Sequence, residues 1–151
     1  MASTIKGINV KIGADTTALS SALSDVNKKS RKISRELRKV NRSLKFNPGN
    51  TELLAQKQDL LADRVESTKK KLDTLRKSQE DVDRQFKKGD LPEEKYRAFR
   101  REVIETENKL EYFTDQLEQT KREASEFGRK MRNAADNMER AGNKMKGVGQ
   151  S

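Results

Sequence analysis

The chain contains no cysteine, no histidine and no tryptophan among its 151 residues. Without cysteine no disulfide forms, and without cysteine or histidine no Cys/His zinc site can be built. General acid–base chemistry at neutral pH loses its commonest agent with histidine. Apolar residues are also scarce, at 31% of the chain, against about 45–50% in ordinary globular domains. Charged residues reach 38%. A thick core cannot be assembled from this, but a seam between helices needs only about two apolar positions in seven. No window approaches the ~18 consecutive apolar residues of a membrane span. The opening MASTIKGINVKIG has no apolar stretch of the kind a secretory leader carries, and none is expected. Low hydrophobicity with high charge is also the signature of disorder. The phasing of the apolar residues that are present argues against that reading.

One stripe runs unbroken through the last third of the chain: Tyr96, Phe99, Val103, Thr106, Leu110, Phe113, Leu117, Thr120, Ala124, Phe127, Met131, Ala134, Met138, Ala141, Met145, Val148. Steps of three and four alternate. That keeps one face of a helix toward a partner and calls for a left-handed supercoil. At about 1.5 Å per residue such a helix is roughly 80 Å long, so the spacing predicts a rod. Two further stripes precede it. The first is Leu19, Leu23, Val26, Ser30, Ile33, Leu37, Val40, Leu44. The second is Leu54, Gln58, Leu61, Val65, Thr68, Leu72, Leu75, Gln79, Val82, Phe86, with Leu53 and Leu60 as a second apolar edge.

The breaks between stripes have recognisable chemistry. Pro48 disfavours a helical Asn47, Gly49 supplies a turn, and Asn50 can cap the next helix. Gly89 suits the position just beyond a helix end. Asp90 then reads as an N-cap with Glu93 three residues on, and Pro92 falls in the first turn. Ahead of the first stripe, Ile8, Val10 and Ile12 alternate with Gly7, Asn9 and Lys11, which predicts a short strand. No second strand is evident, so this one is either loose or adds to a sheet supplied by another copy or another protein. Asp15 or Thr16 reads as the N-cap of the first helix.

The expected fold is therefore all-α: elongated antiparallel helical hairpins, or a coiled coil, behind a short N-terminal β-strand. Residues 1–14 form the extended segment. Residues 15–128 form a three-helix antiparallel module with helices near 16–46, 51–87 and 91–128, since short links favour antiparallel neighbours. Residues 129–151 form a helical extension. Its seam is Met and Ala, and it outruns the second helix, so it either frays or joins copies of itself.

The net charge of +10 is uneven. Residues 1–50 are strongly basic and residues 91–127 carry an acidic excess, so the first and third helices would attract each other if packed side by side. Carboxylate pairs such as Glu93/Glu94, Asp81/Asp83 and Glu105/Glu107 lie on exposed helix faces with no histidine or glycine-rich loop beside them. They read as solvated surface, with i,i+4 pairs such as Asp73–Lys77 and Glu105–Lys109 each contributing about 0.3–0.5 kcal/mol. No enzymatic activity and no cofactor is expected. The basic runs Lys28-Lys29-Ser30-Arg31-Lys32 and Lys69-Lys70-Lys71 suit phosphates, yet no aromatic platform is interleaved with them. Ser30, Gln58, Gln79, Thr106 and Thr120 interrupt the seams and either fix register or are tolerated near the rod surface.

Several stretches together resemble the N-terminal region of phage tail tape measure proteins of long-tailed, siphovirus-like phages. They are the strand followed by Asp15-Thr16-Thr17-Ala18-Leu19, then Val26-Asn27-Lys28-Lys29, then Leu44-Lys45-Phe46-Asn47-Pro48-Gly49-Asn50-Thr51-Glu52-Leu53-Leu54. The turn Phe86-Lys87-Lys88-Gly89-Asp90-Leu91-Pro92 and the end Ala141-Gly142-Asn143-Lys144-Met145 are similar to that family as well. The resemblance implies a structural role. Copies lie in the tail-tube lumen of the virion, after assembly in the host cytoplasm. Tube protein polymerises around them with the help of tail-assembly chaperones, and protein length sets tail length. The resemblance also implies a longer protein, of which this chain is an N-terminal piece. The partners it implies are the chain itself in unknown copy number, the tube protein and the chaperones. The competing reading from the residues is a basic coiled coil that binds nucleic acid.

Overall fold

The computed structural model describes residues 5–149, with side chains as far as residue 142. The fold is all-α with a two-stranded antiparallel sheet at its N-terminal end. The elements are β1 (Asn9–Ile12), β2 (Asp15–Ala18), α1 (Leu19–Ala22), α2 (Ser24–Phe46), α3 (Thr51–Lys87) and α4 (Glu93–Gly149).

The N-terminal strand has a partner within the chain, contrary to the expectation of a lone strand. Asn9 pairs with Ala18, Val10 with Thr17, Lys11 with Thr16 and Ile12 with Asp15. The link is Gly13-Ala14, with Gly13 at φ +67°, the position a type II′ hairpin turn assigns to glycine. Asp15 and Thr16 therefore sit in β2 and cap no helix. β-Branched Thr16 and Thr17 suit a pleated surface, and pairing with β1 outcompetes a capping role. Ile8 and Val10 are buried, whereas Ile12, at the hairpin tip, is 44% exposed. The Leu19 amide donates to the Ile8 carbonyl at 2.8 Å, so the helical path starts where the sheet ends. α1 is one turn, and Leu23 carries the path into α2 through hydrogen bonds from its own amide to the Leu19 carbonyl and from the Asn27 amide to its carbonyl.

The helix ends follow local chemistry. The Asn50 side chain accepts from the Leu53 amide at 2.9 Å and caps α3. At the far end the Gly89 amide donates to the Phe86 carbonyl and the Asp90 amide to the Gln85 carbonyl. That is the Schellman pattern, with Gly89 at φ +80° in the left-handed position. α4 begins later than expected, at Glu93, and the Pro92 carbonyl accepts from the Lys95 and Tyr96 amides. Pro92 thus occupies the cap position itself, and Asp90 belongs to the preceding turn.

α3 is the central helix and packs against both α2 and α4. Three apolar clusters run along the bundle. The first joins the sheet to the α3–α4 end through Ile5, Ile8, Val10, Leu19, Leu23, Leu75, Val82, Leu91 and Phe99. The second holds Ile33, Leu37 and Leu61 with Phe113 and Leu117 against them. The third holds Val40, Leu44 and Leu54 with Ala124 and Phe127 at the α2–α3 turn.

Candidate association surface and interhelical cleft

The seam residues read from the sequence divide into two groups by position. Leu19, Leu23, Ile33, Leu37, Val40, Leu44, Leu54, Leu61, Val65, Leu72, Leu75, Val82 and Phe99 are buried within the chain. Val26, Phe86, Tyr96, Val103, Leu110, Phe113, Leu117 and Phe127 are half-buried. Gln79 is exposed and Ser78 takes its place in the α3 seam, its hydroxyl donating to the Thr74 carbonyl at 2.8 Å. The turn residues Asn47 and Pro48 are exposed, and Gly49 faces the Phe127 ring closely.

Phe127 marks the end of the intrachain partner, because α2 and α3 turn there. From Arg129 to Ala141 every residue of α4 is exposed, including Met131 at 57% and Met138 at 75%. The stripe continues in the same phase but meets nothing within the chain. Residues 129–149 extend about 30 Å as helix. Met145 lies outside the described side chains.

A second feature lies between the helices. Ser30 of α2, Thr68 of α3 and Thr106 of α4 are each a polar interruption of their stripe, and all three line one cleft between the helices. Ser67 joins them, its hydroxyl 3.2 Å from that of Ser30. The Thr68 and Thr106 hydroxyls donate to the Arg64 and Glu102 carbonyls, both at 2.7 Å. Where large apolar side chains would close the seam, small ones leave a cleft of about 440 Å³.

The walls of that cleft are cationic. Arg31, Arg35 and Arg38 line it from α2, Arg64 and Lys71 from α3, and Lys109 from α4, against one carboxylate, Glu102. Lys71 and Glu102 pair at 2.6 Å with side chains 16% and 9% exposed. Arg64 donates to Thr68 Oγ1 at 3.0 Å and lies over the Phe113 ring at 4.5 Å. Burial lowers its pKa from the ordinary arginine value. Its buried Nε has no hydrogen-bond partner among the described residues.

The expected attraction between the basic first helix and the acidic third is not realised as ion pairing. Among the described residues no ion pair joins α2 to α4. The interhelical pairs are Lys71–Glu102 and Arg76–Glu107, both from α3 to α4. Glu105–Lys109 is likewise absent from the described ion pairs, while Asp73–Lys77 forms at 2.9 Å.

The acidic pair Asp81/Asp83 is structural. Asp81 accepts from the Lys11 amide and Asp83 from the Tyr96 hydroxyl at 2.8 Å. That hydrogen bond to a carboxylate holds the Tyr96 phenol above its usual pKa. Among the described residues no group of carboxylates is placed to hold a metal ion, and no helix is long and apolar enough to cross a membrane.

Residue patterning exposed the ingredients of the cleft without their convergence. Ser30 and Thr106 stood out as seam interruptions, and Arg31 and Lys71 as parts of basic runs. Arg38, Arg64 and Glu102 carry no distinguishing signal, and Lys109 stands out only as an i,i+4 partner of Glu105. No family model, no curated protein and no solved structure matches the chain.

Proposed function

We propose that this chain is the N-terminal part of a phage tail tape measure protein, a non-enzymatic scaffold that acts by self-association. Residues 1–128 serve as a terminal docking or multimerisation module, and the ruler proper begins near the end of the long stripe. Tube protein and tail-assembly chaperones are the partners, in the host cytoplasm during assembly and in the tail-tube lumen afterwards. The observation that supports this reading is the continuity of the α4 stripe beyond Phe127, with Met131 and Met138 uncovered on the face that the bundle covers further back. An apolar face in unbroken phase is what helix–helix association between copies requires.

Light scattering on the full chain and on a chain truncated after Gly128 tests the association. The full chain gives a defined oligomer and the truncated chain a monomer, both helical by circular dichroism. A strictly monomeric full chain at high concentration overturns the reading. In the intact phage, deletion of residues 16–90 tests the module against the ruler. A tail shortened by the whole helical length of the deleted segment would place these residues in the ruler.

A further inference from the structure

We propose that the cleft between α2, α3 and α4 is a binding site for a small polyvalent oxyanion, of which linked phosphate groups are the fitting class. This inference does not rest on the tail assignment. It starts from the bundle's polar layer. Ser30, Thr68 and Thr106 replace three apolar seam positions with small hydroxyls, which costs packing and leaves an open space.

Charge decides what fits that space. Six cations face it and one carboxylate answers, already engaged with Lys71. Among the described residues Arg31, Arg35, Arg38 and Lys109 form no ion pair. A monovalent anion would leave most of this charge unanswered. Four of the six cations are arginines, whose planar forks match phosphate oxygens with paired donors. Arg31, Arg35 and Arg38 stand at i, i+4 and i+7 on α2, strung over about 10 Å of helix axis, so they can engage consecutive phosphates together.

Size and lining narrow the ligand. A volume near 440 Å³ is that of a small-molecule pocket and not of a groove for a duplex. Among the described residues no aromatic side chain lines the cleft, so it offers no face for a base to stack on. The site therefore recognises the phosphate chain and is indifferent to what the chain carries.

Calorimetric titration of the full chain with inorganic triphosphate, and separately with ATP, tests this. Both bind, with affinities within a few-fold of each other. Arg35→Ala and Arg38→Ala each weaken binding by about tenfold or more, whereas Lys39→Ala and Lys45→Ala, on α2 but outside the cleft, leave it nearly unchanged. The altered side chains are exposed, so helix content stays that of the parent chain. Absence of binding at low salt overturns the proposal, as does equal loss in the cleft and control variants. Binding of single-stranded DNA without binding of triphosphate also overturns it, since that outcome makes the basic surface a nucleic-acid contact.

Discussion

Asp81 accepts a hydrogen bond from the backbone amide of Lys11 at 2.9 Å, so a side chain of α3 closes the outer edge of strand β1. One helical turn further, Gln85 donates to the Asn9 carbonyl at 2.7 Å. The inner edge of β1 is paired with β2. A two-stranded ribbon is marginal alone and its free edges invite pairing with other chains. Here α3 occupies the edge that would otherwise accept a third strand. Replacing Asp81 by Ala leaves the Lys11 amide without this acceptor and costs about 1–2 kcal/mol. Hydrogen exchange at Lys11 reports it, with protection falling there while the middle of α3 keeps its own. Unchanged protection would mean that the hairpin holds its place by apolar packing alone.

Phe99 is fully buried where the sheet meets α3 and α4. It is the largest side chain in the cluster that fastens the hairpin to the bundle. Phe99→Ala is expected to cost about 3–5 kcal/mol in chemical denaturation. The same substitution at Phe46, which is 88% exposed at the opposite end, should change stability by less than about 0.5 kcal/mol.

Gly7 adopts φ +88°, and a methyl group there would run into the Lys95 amine. That amine donates to the Lys6 carbonyl at 3.0 Å, tying the N-terminal segment to the start of α4. Gly7→Ala therefore meets both a backbone and a side-chain penalty, together about 1–3 kcal/mol. Gly13 also has positive φ but open space around it, so Gly13→Ala should lower the melting temperature less.

Tyr96 stacks on Phe86 with ring centroids 4.2 Å apart and donates its hydroxyl to Asp83. The folded phenol titrates above its unfolded value of 10.0. The folded state thus holds this proton more tightly. Its contribution is complete below the unfolded value and disappears as pH rises through the folded one. Melting temperatures measured from pH 9 to about 11 should fall more steeply for the parent chain than for Tyr96→Phe. Parallel curves would show that the Asp83 bond adds nothing beyond solvation.

Lys71 and Glu102 form the most enclosed ion pair among those described, at 2.6 Å. Removing the charge of one partner strands the other. Glu102→Gln should cost about 3–5 kcal/mol by the general behaviour of broken buried pairs. The exposed pair Lys77–Asp73 serves as control, because Asp73→Asn should cost less than about 1 kcal/mol.

The three long helices, the two breaks between them and the inward faces are legible because their causes are local, whereas the separate one-turn α1 is not. A 3-4 repeat, an Asn side chain near the next amides and a glycine past a helix end act within one or two turns. The hairpin was misread for a related reason. Asp15 and Thr16 satisfy the local rule for a helix cap, and Gly13-Ala14 satisfies the local rule for a hairpin turn. Only the docking of β1 on Asp81 and Gln85, some 70 residues away in the chain, favours the second. Strict heptad counting assigns Gln79 to the seam, whereas Ser78 is the buried residue.

By itself the sequence determined the three long helices, the two breaks between them, and which of their faces seek a partner. It also determined that the stripe of α4 is longer than anything in the chain able to cover it. Tertiary structure decided that one polar residue from each of three stripes, Ser30, Thr68 and Thr106, lines the same cleft, and that cations from three helices converge around them. Periodicity is a property of neighbouring residues, whereas the relative register of antiparallel helices depends on turn geometry and packing summed over the whole bundle.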